Sequence, residues 1–255
     1  MGMNILSPLL LLLAGLFLFS GCGPDEKTIQ RASVHYGLGH NALQQGDPTT
    51  ALRELYEAEK LNPKDASIQH LLGMALSAKG KHTDALPHYR KALELDPKYT
   101  EVHNAMGATY LEMGKWDEAI QEFNLVLKDD LYLTPFFVQN NIGFAYYKKG
   151  DLNNAVESYR KAIGMNPKFG LAHYNLGIAY RDGKKANQAI ASFRQATTLA
   201  PNLLDGHFQL GKLYFETGNK AEAQKSFQEV VRLAPQSEAA LMARQYLDVL
   251  KKTGK

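Results

Sequence analysis

Histidine is the residue type in this chain that most readily suggests chemistry, because its imidazole ring can bind metals and transfer protons. Four of the eight histidines stand four residues before a recurring glycine: His35, His103, His173 and His207. Positions that recur in this way fall on separate helices, whose axes pack about 8–10 Å apart. Imidazoles so placed cannot share one metal ion through bonds of about 2 Å. We therefore predict partly buried packing residues here and no metal site.

Other groups that could carry chemistry are sparse. The single cysteine, Cys22, cannot form an internal disulfide or supply a zinc or iron–sulfur cluster made of several thiolates. The glycines follow the spacing of the repeats and form no phosphate-binding loop. The acidic pair Asp129-Asp130 falls where a helix is expected to end, a usual place for solvated carboxylates. We expect no cofactor and no enzymatic activity.

The charges of the chain are nearly balanced. There are 29 Lys and Arg residues against 26 Asp and Glu residues, which gives a net charge of +3. A nucleic-acid-binding protein normally carries a strongly basic patch or stripe, so nucleic acid is not an expected partner. With 45% hydrophobic and 22% charged residues over 255 positions, the composition is that of a folded globular protein.

The N-terminal stretch 5–19 is almost wholly apolar, yet shorter than the roughly 20 residues that a helix needs to cross a bilayer. Its length and position are typical of a secretory signal. The segment that follows, 18–22, reads Leu-Phe-Ser-Gly-Cys and resembles the lipobox of bacterial lipoproteins. The resemblance implies that residues 1–21 are a signal peptide and that Cys22 is acylated.

Acylation would hold the protein on a membrane, because several acyl chains bind a bilayer far more firmly than one. By the same resemblance, Gly23 after the cysteine implies the periplasmic face of the outer membrane. Residues 22–31 would then form a polar tether. The alternatives are that Cys22 is a buried free thiol or that the apolar stretch is a plain membrane anchor.

The rest of the chain repeats with a regular period. The marker glycines are 34, 34, 36, 34 and 34 residues apart: Gly39, Gly73, Gly107, Gly143, Gly177 and Gly211. Alanine stands twelve residues after each glycine, a large apolar residue sixteen after it, and proline twenty-four after it in five of the six repeats. Glycine and alanine let two helices approach closely while the large residue fills the space beside them. Proline then ends the second helix.

This pattern resembles the tetratricopeptide repeat over residues 32–237. The resemblance implies an all-α fold, a right-handed superhelical solenoid of six helical hairpins. The expected repeats are 32–65, 66–99, 100–133, 136–169, 170–203 and 204–237. Residues 238–255 are amphipathic and are expected to form a C-terminal capping helix. No single repeat can bury its own apolar face, so stacking of the repeats must do so.

A second stripe on the first helix of each repeat is expected to line a concave groove that binds protein. It uses the positions six and three before the marker glycine and one and four after it. The predicted binding residues are Tyr36, Met74, Phe137, Asn140, Phe144, Tyr147, Leu171, Tyr174, Ile178, Phe208 and Phe215. Aromatic residues beyond the needs of a core favour an interaction surface. The alternatives are that the stripe is a second packing face, or that the C-terminal helix covers it near repeat six.

The chemistry of this stripe favours an apolar ligand. A clamp for a C-terminal carboxylate needs several basic residues along the groove, and only Arg181 and Lys212 are present. An extended or helical apolar segment of a partner protein fits better.

The one 36-residue step falls after repeat three, in the segment 128–136. Asp129, Leu131 and Tyr132 in this segment resemble the same junction in the type IV pilus biogenesis lipoproteins, the pilotins. The resemblance implies that the protein helps pilus secretin subunits to reach the outer membrane and to assemble there. The alternative is a tetratricopeptide adaptor lipoprotein that serves outer-membrane protein insertion or cell-wall enzymes.

Overall fold

The computed structural model describes residues 24–252, and every regular element in that range is an α-helix. Cys22 and the predicted signal peptide lie outside the described residues. The helices are α1 (Glu26–Gln44), α2 (Pro48–Leu61), α3 (Ala66–Ala78), α4 (His82–Leu95), α5 (Thr100–Glu112), α6 (Trp116–Val126), α7 (Pro135–Lys148), α8 (Leu152–Met165), α9 (Gly170–Asp182), α10 (Ala186–Leu199), α11 (Leu204–Glu216), α12 (Lys220–Leu233) and α13 (Glu238–Lys252). Between residues 24 and 252, no helix has both the length and the apolar character that crossing a bilayer requires.

The helices form a solenoid of six hairpins, α1–α2 to α11–α12, with α13 packed on the last one. Each helix makes its main contacts with the helices before and after it in the chain. The odd helices α1, α3, α5, α7 and α9 also contact one another in sequence. Because the odd helices approach one another in this way, they lie on the inner curve of the solenoid. The predicted fold class is confirmed.

Within each hairpin, the marker glycine allows the two helices to approach. A Cβ atom on Gly177 would lie 2.7 Å from the ring of Phe193, and one on Gly143 would lie 2.7 Å from the ring of Tyr159. The alanine of every repeat is fully buried in the same contact: Ala51, Ala85, Ala119, Ala155, Ala189 and Ala223. The close approach predicted from these three residue types is confirmed.

The turn between the two helices of a repeat needs one residue with positive φ. Five repeats place a glycine there, with φ between 70° and 82°: Gly46, Gly80, Gly114, Gly150 and Gly218. In the fifth repeat Lys184 takes this position, with φ of 58°. The preceding Gly183 has φ of −76° and is the C-cap of α9. The residue with positive φ therefore stands at the same repeat position in the fifth repeat as in the others, although it is a lysine there.

Helix α1 begins earlier than the repeat pattern predicts. The side chain of Asp25 accepts a hydrogen bond from the backbone N–H of Thr28 and caps α1, which starts at Glu26. The predicted tether over 22–31 therefore needs correction: residues 26–31 are helical, because an N-cap aspartate stands ahead of them. Since α1 has no repeat before it, Val34 and Leu38 remain exposed.

The junction after repeat three is longer than its two extra residues require. Helix α6 has 11 residues, whereas the second helices of the other repeats have 14 each. The side chain of Asp129 accepts hydrogen bonds from the N–H of Leu131 at 3.0 Å and from the hydroxyl of Thr100 at 2.7 Å. Local side-chain bonds of this kind compete with helix formation. The result is a loop over residues 127–134, in which Tyr132 packs against the core.

Candidate protein-binding groove

Four of the eleven predicted binding residues are exposed apolar side chains on the concave side. They are Met74 on α3, Phe137 and Phe144 on α7, and Leu171 on α9, with exposed fractions between 36% and 48%. The ring of Phe137 lies 4.5 Å from that of Phe136 and 4.7 Å from that of Phe169, so it is held in place by aromatic neighbours. We call these four residues the concave apolar row. They form the part of the predicted surface that a partner can reach most readily.

Six further predicted residues are half-buried and contribute to the packing of the solenoid: Tyr36, Tyr147, Tyr174, Ile178, Phe208 and Phe215. Five of them, all but Tyr36, pack against the core of repeats four to six. The ring of Tyr174 lies 5.6 Å from that of buried Phe193. Burial raises the pKa of the Tyr174 hydroxyl above its usual value. One part of each of these side chains is exposed in the groove, and the remainder is buried in the packing of the solenoid.

The last predicted residue, Asn140, is only 4% exposed. Its side-chain oxygen accepts a hydrogen bond of 2.9 Å from Asn175, which joins α7 to α9. The hydroxyl of Tyr147 donates to Asp182 at 2.7 Å and makes a second link between the same helices. In the same way, Arg181 on α9 donates a hydrogen bond of 2.8 Å to the side-chain oxygen of Gln209 on α11. Asn140 therefore fixes the spacing of the groove helices from behind its surface.

Helix α13 closes the groove at the sixth repeat. The ring of Tyr246 on α13 stacks on Phe227 at 4.7 Å and meets Phe215 edge-on at 5.1 Å. Phe208 lies 6.1 Å from the same Phe227 ring. Phe215 thus contacts the capping helix directly, as the sequence left open for this end, whereas Phe208 packs on Phe227 within the last repeat.

A cavity of about 760 Å³ opens between α3 and α5 and is lined in part by Met74 of the concave apolar row. It exists because α5 carries Ala108 one residue after its marker glycine, where α7 has Phe144 and α9 has Ile178. We call it the α3–α5 cavity. Apart from Met74, its lining residues are absent from the predicted binding set. The signal that could have revealed it is this small residue at a groove position that is bulky in later repeats.

The electrostatic character of the α3–α5 cavity is acidic. Glu101 and Glu112 line it together with His70, and neither carboxylate has a hydrogen bond or ion pair within residues 24–252. Burial lowers the pKa of His70 to about 4, so the imidazole is neutral at neutral pH. Both carboxylates are exposed to solvent, and Glu101 lies in the first turn of α5, near the positive end of the helix dipole.

The four histidines that share one repeat position make hydrogen bonds within the fold. His35 donates through Nδ1 to the carboxylate of Glu54 at 2.9 Å, and His103 likewise to Glu122 at 2.7 Å. The bond from His35 is the main reason that the pKa of Glu54 lies below its usual value. In repeats five and six, where serine stands in place of the glutamate, the rings bond instead to backbone carbonyls in the loops before their helices, those of Pro167 and Pro201.

These histidines stay on separate helices. Within the described part of the chain, no three side chains of His, Cys, Asp or Glu come close enough together to hold a metal ion. The hydrogen bonds join the two helices of a repeat or fix the loop that precedes it. The four histidines are therefore packing residues whose ring nitrogens make hydrogen bonds within the fold.

Similar structures place this arrangement among known helical solenoids. PilW, described as a widely conserved type IV pilus biogenesis factor, matches with a TM-score of 0.74 and 20% identity over 84% of this chain and 98% of PilW. PilF of Pseudomonas aeruginosa matches with a TM-score of 0.72 and 19% identity over 86% of this chain and 99% of PilF. YrrB, a TPR protein with an unusual peptide-binding site, matches with a TM-score of 0.57 and 21% identity over 75% of this chain and 97% of YrrB. At these identities the likeness shows the shared fold.

Sequence models of repeat families also match the chain, whereas no curated protein matches it. A TPR repeat model matches residues 143–182, and two tetratricopeptide repeat models match residues 36–100 and residues 76–131 and 180–245. Together these ranges cover most of the solenoid. Repeats of this kind build extended concave surfaces for protein partners. The chain belongs to the tetratricopeptide repeat family and is a scaffold for protein–protein interaction.

Proposed function

We propose that the protein is a pilotin: a lipid-anchored assembly factor that binds type IV pilus secretin subunits on the periplasmic face of the outer membrane. The observation that carries the proposal is the concave apolar row, in which large apolar side chains remain exposed on the groove helices. Exposed apolar surface of this kind is typical of interaction sites. The similarity to PilW and PilF over nearly their whole length supports type IV pilus assembly as the process that the protein serves.

The groove would act by holding an apolar segment of the unassembled subunit. Phe137 and Phe144 present their rings from one helix, and Leu171 extends the apolar surface onto the next. The hydrogen bonds between Asn140 and Asn175 and between Tyr147 and Asp182 keep these two helices in register. A surface that is already ordered loses little conformational entropy on binding. The aromatic rings are the side chains from which most of the binding free energy is expected.

The membrane anchor would supply the second part of the function. Acyl chains on Cys22 would confine the groove to the membrane surface, and subunits held there would meet at a higher effective concentration. Assembly would follow from proximity, since the protein would neither make nor break a covalent bond.

Co-purification tests this proposal. The full chain and the secretin are co-expressed in a bacterium that makes type IV pili, and the chain is isolated from a detergent extract. We expect secretin subunits to co-purify with the native chain and to be lost with Phe144→Ala combined with Leu171→Ala. The matched control is Leu125→Ala combined with Met165→Ala, which removes two similarly exposed apolar side chains from the second helices of repeats three and four. This control should retain the secretin.

Two results would contradict the proposal in different ways. If the control loses the secretin and the groove variant retains it, the partner binds the outer face of the solenoid. The second result is that no secretin co-purifies, and that the native chain instead retains a component of outer-membrane protein insertion or a cell-wall enzyme, which the groove variant loses. The protein would then be the adaptor lipoprotein that the sequence leaves as the alternative.

A further inference from the structure

The α3–α5 cavity is an open depression in the groove that is large enough to take a long side chain. Its floor is formed by small or flexible residues, among them Ala105 and Ala108 on α5 and Met74 on α3. Because Ala108 stands where the next two groove helices carry phenylalanine and isoleucine, the groove is deeper here than at repeats four and five. A volume of about 760 Å³ lies within the usual range of pockets that bind small ligands or side chains.

The charge of the cavity selects the kind of side chain. Glu101 and Glu112 lie at the two ends of α5, eleven residues apart, which corresponds to about 16 Å along a helix. At that separation they cannot share a metal ion. No lysine or arginine lines the cavity, and neither carboxylate is paired within the described residues. Both charges are therefore available to a cation that enters from outside.

Glu112 is an exposed carboxylate in a position that does not favour a negative charge. This residue ends α5, and a carboxylate at the C-terminus of a helix is unfavourable because it faces the negative end of the helix dipole. A nearby cation would relieve that cost. No basic side chain of the described residues pairs with Glu112, and a basic residue of a binding partner would supply such a cation.

A largely buried histidine also lines this cavity. His70 is 8% exposed and uses its Nδ1 atom in a 3.1 Å hydrogen bond with the hydroxyl of Tyr99. Its Nε2 atom has no hydrogen-bond partner within residues 24–252. Since none of the fully buried side-chain nitrogens and oxygens of the described residues lacks a partner, Nε2 retains some exposure to solvent. The cavity thus offers a neutral polar atom beside its apolar floor and its two carboxylates.

We propose that the α3–α5 cavity takes a lysine or arginine side chain of the same partner segment that covers the concave apolar row. The aliphatic stem would lie on Met74 and Ala108, and the cationic head would reach Glu101 or Glu112. Since α5 and α7 are neighbouring groove helices, the basic residue stands about three residues of extended chain from the residues that contact Phe144. This inference rests on the proposed use of the groove and specifies the chemistry of its ligand.

Selection from a library of random peptides tests the inference without knowledge of the partner. The full chain in detergent is the bait, and the selected peptides are the probes. We expect apolar residues together with lysine or arginine at one fixed position. Replacing that residue by neutral citrulline should raise the Kd for the native chain about tenfold in fluorescence polarisation. The same replacement should have no effect on the Kd of the double variant Glu101→Gln with Glu112→Gln.

Matched variants separate this inference from the proposed function. Glu94→Gln removes an exposed carboxylate from α4 and should leave the effect of citrulline unchanged. Should the double variant fail to fold, Glu101→Gln and Glu112→Gln are made singly, and the effect of citrulline should disappear in one of them. Selected peptides that are apolar with no basic position would overturn the cavity assignment and leave the groove intact. Peptides that bind Phe144→Ala as tightly as the native chain would instead overturn the proposed function.

Discussion

His70 and Tyr99 join the second and third repeats at the floor of the groove. The Nδ1 atom of His70 lies 3.1 Å from the hydroxyl oxygen of Tyr99, and the two rings meet edge-on with centroids 5.0 Å apart. Tyr99 is the N-cap residue of α5, so this contact fixes the start of α5 against α3. The buried imidazole therefore links the stability of the solenoid to pH.

We expect the protein to lose stability in mild acid because of His70. Burial lowers the pKa of His70 from 6.5 to about 4. As the pH falls below 6.5, the unfolded chain binds a proton at this residue and the folded chain does not, so the free energy of unfolding decreases until the pH reaches about 4. One pKa unit corresponds to about 1.4 kcal/mol, which makes the loss on the order of 3 kcal/mol.

Urea unfolding at a series of pH values measures this effect. The variant His70→Gln keeps a polar side chain but cannot titrate, so its free energy of unfolding should decrease less over the same pH interval. The rings of Tyr89 and Tyr99 pack against the imidazole, and neither is changed by the substitution. An unaltered pH dependence in His70→Gln would refute the assignment.

Lys184→Gly should stabilise the protein. Lys184 has φ of 58°, a conformation that costs a residue with a side chain about 1 kcal/mol or more. Glycine adopts it without strain, as the equivalent glycines of the other five repeats do. We expect a gain of about 0.5–1 kcal/mol in the free energy of unfolding after the greater freedom of glycine in the unfolded chain is included. Gly150→Ala, the reverse change at an equivalent turn, should destabilise the protein in the same urea experiment.

Gly177→Ala should destabilise the fifth repeat. The added Cβ would lie 2.7 Å from the ring of fully buried Phe193, so the two helices must move apart. Overpacking of this kind typically costs about 1–3 kcal/mol. Gly164→Ala is the matched control, because nothing lies within 4 Å of its added Cβ. There alanine should raise stability by up to about 1 kcal/mol through its higher helix propensity. Equal effects of the two changes on the urea midpoint would contradict this packing.

Cys22→Ser should release the protein from membranes without unfolding it. The expected acyl chains need the thiol, whereas the described solenoid begins beyond Cys22. Fractionation of cells should move the variant from the membrane pellet to the soluble fraction, and circular dichroism should show the same helical content. Retention of the variant in the pellet would mean that Cys22 carries no anchor.

The repeats could be predicted because one contact specifies them. A glycine, an alanine and a large apolar side chain at fixed spacing, such as Gly177, Ala189 and Phe193, bring two helices together in every repeat. Departures from the pattern arose where a local hydrogen bond or a turn competed with it. Asp25 starts α1 early, Asp129 stops α6 early, and Lys184 adopts the conformation expected of glycine.

The binding surface was less predictable because helical spacing does not distinguish an exposed stripe from a second packing stripe. Phe144 and Tyr174 belong to the same predicted stripe, yet Phe144 is exposed and Tyr174 packs on Phe193. Phe215 is covered by Tyr246, a contact that depends on how α13 docks. The sequence shows a small residue, Ala108, at a groove position, but the extent of the cavity depends on side chains from two repeats and follows only from the placement of the helices.

Site-specific photo-crosslinking in living cells tests the central claim, that a protein partner occupies the concave side, most directly. A photoreactive phenylalanine analogue replaces Phe144 on the groove helix α7 or, as the control, Leu125 on α6. We predict a cross-linked partner from position 144, identified by mass spectrometry as a secretin subunit, and none from position 125. Cross-links that form at position 125 and not at position 144 would contradict the claim.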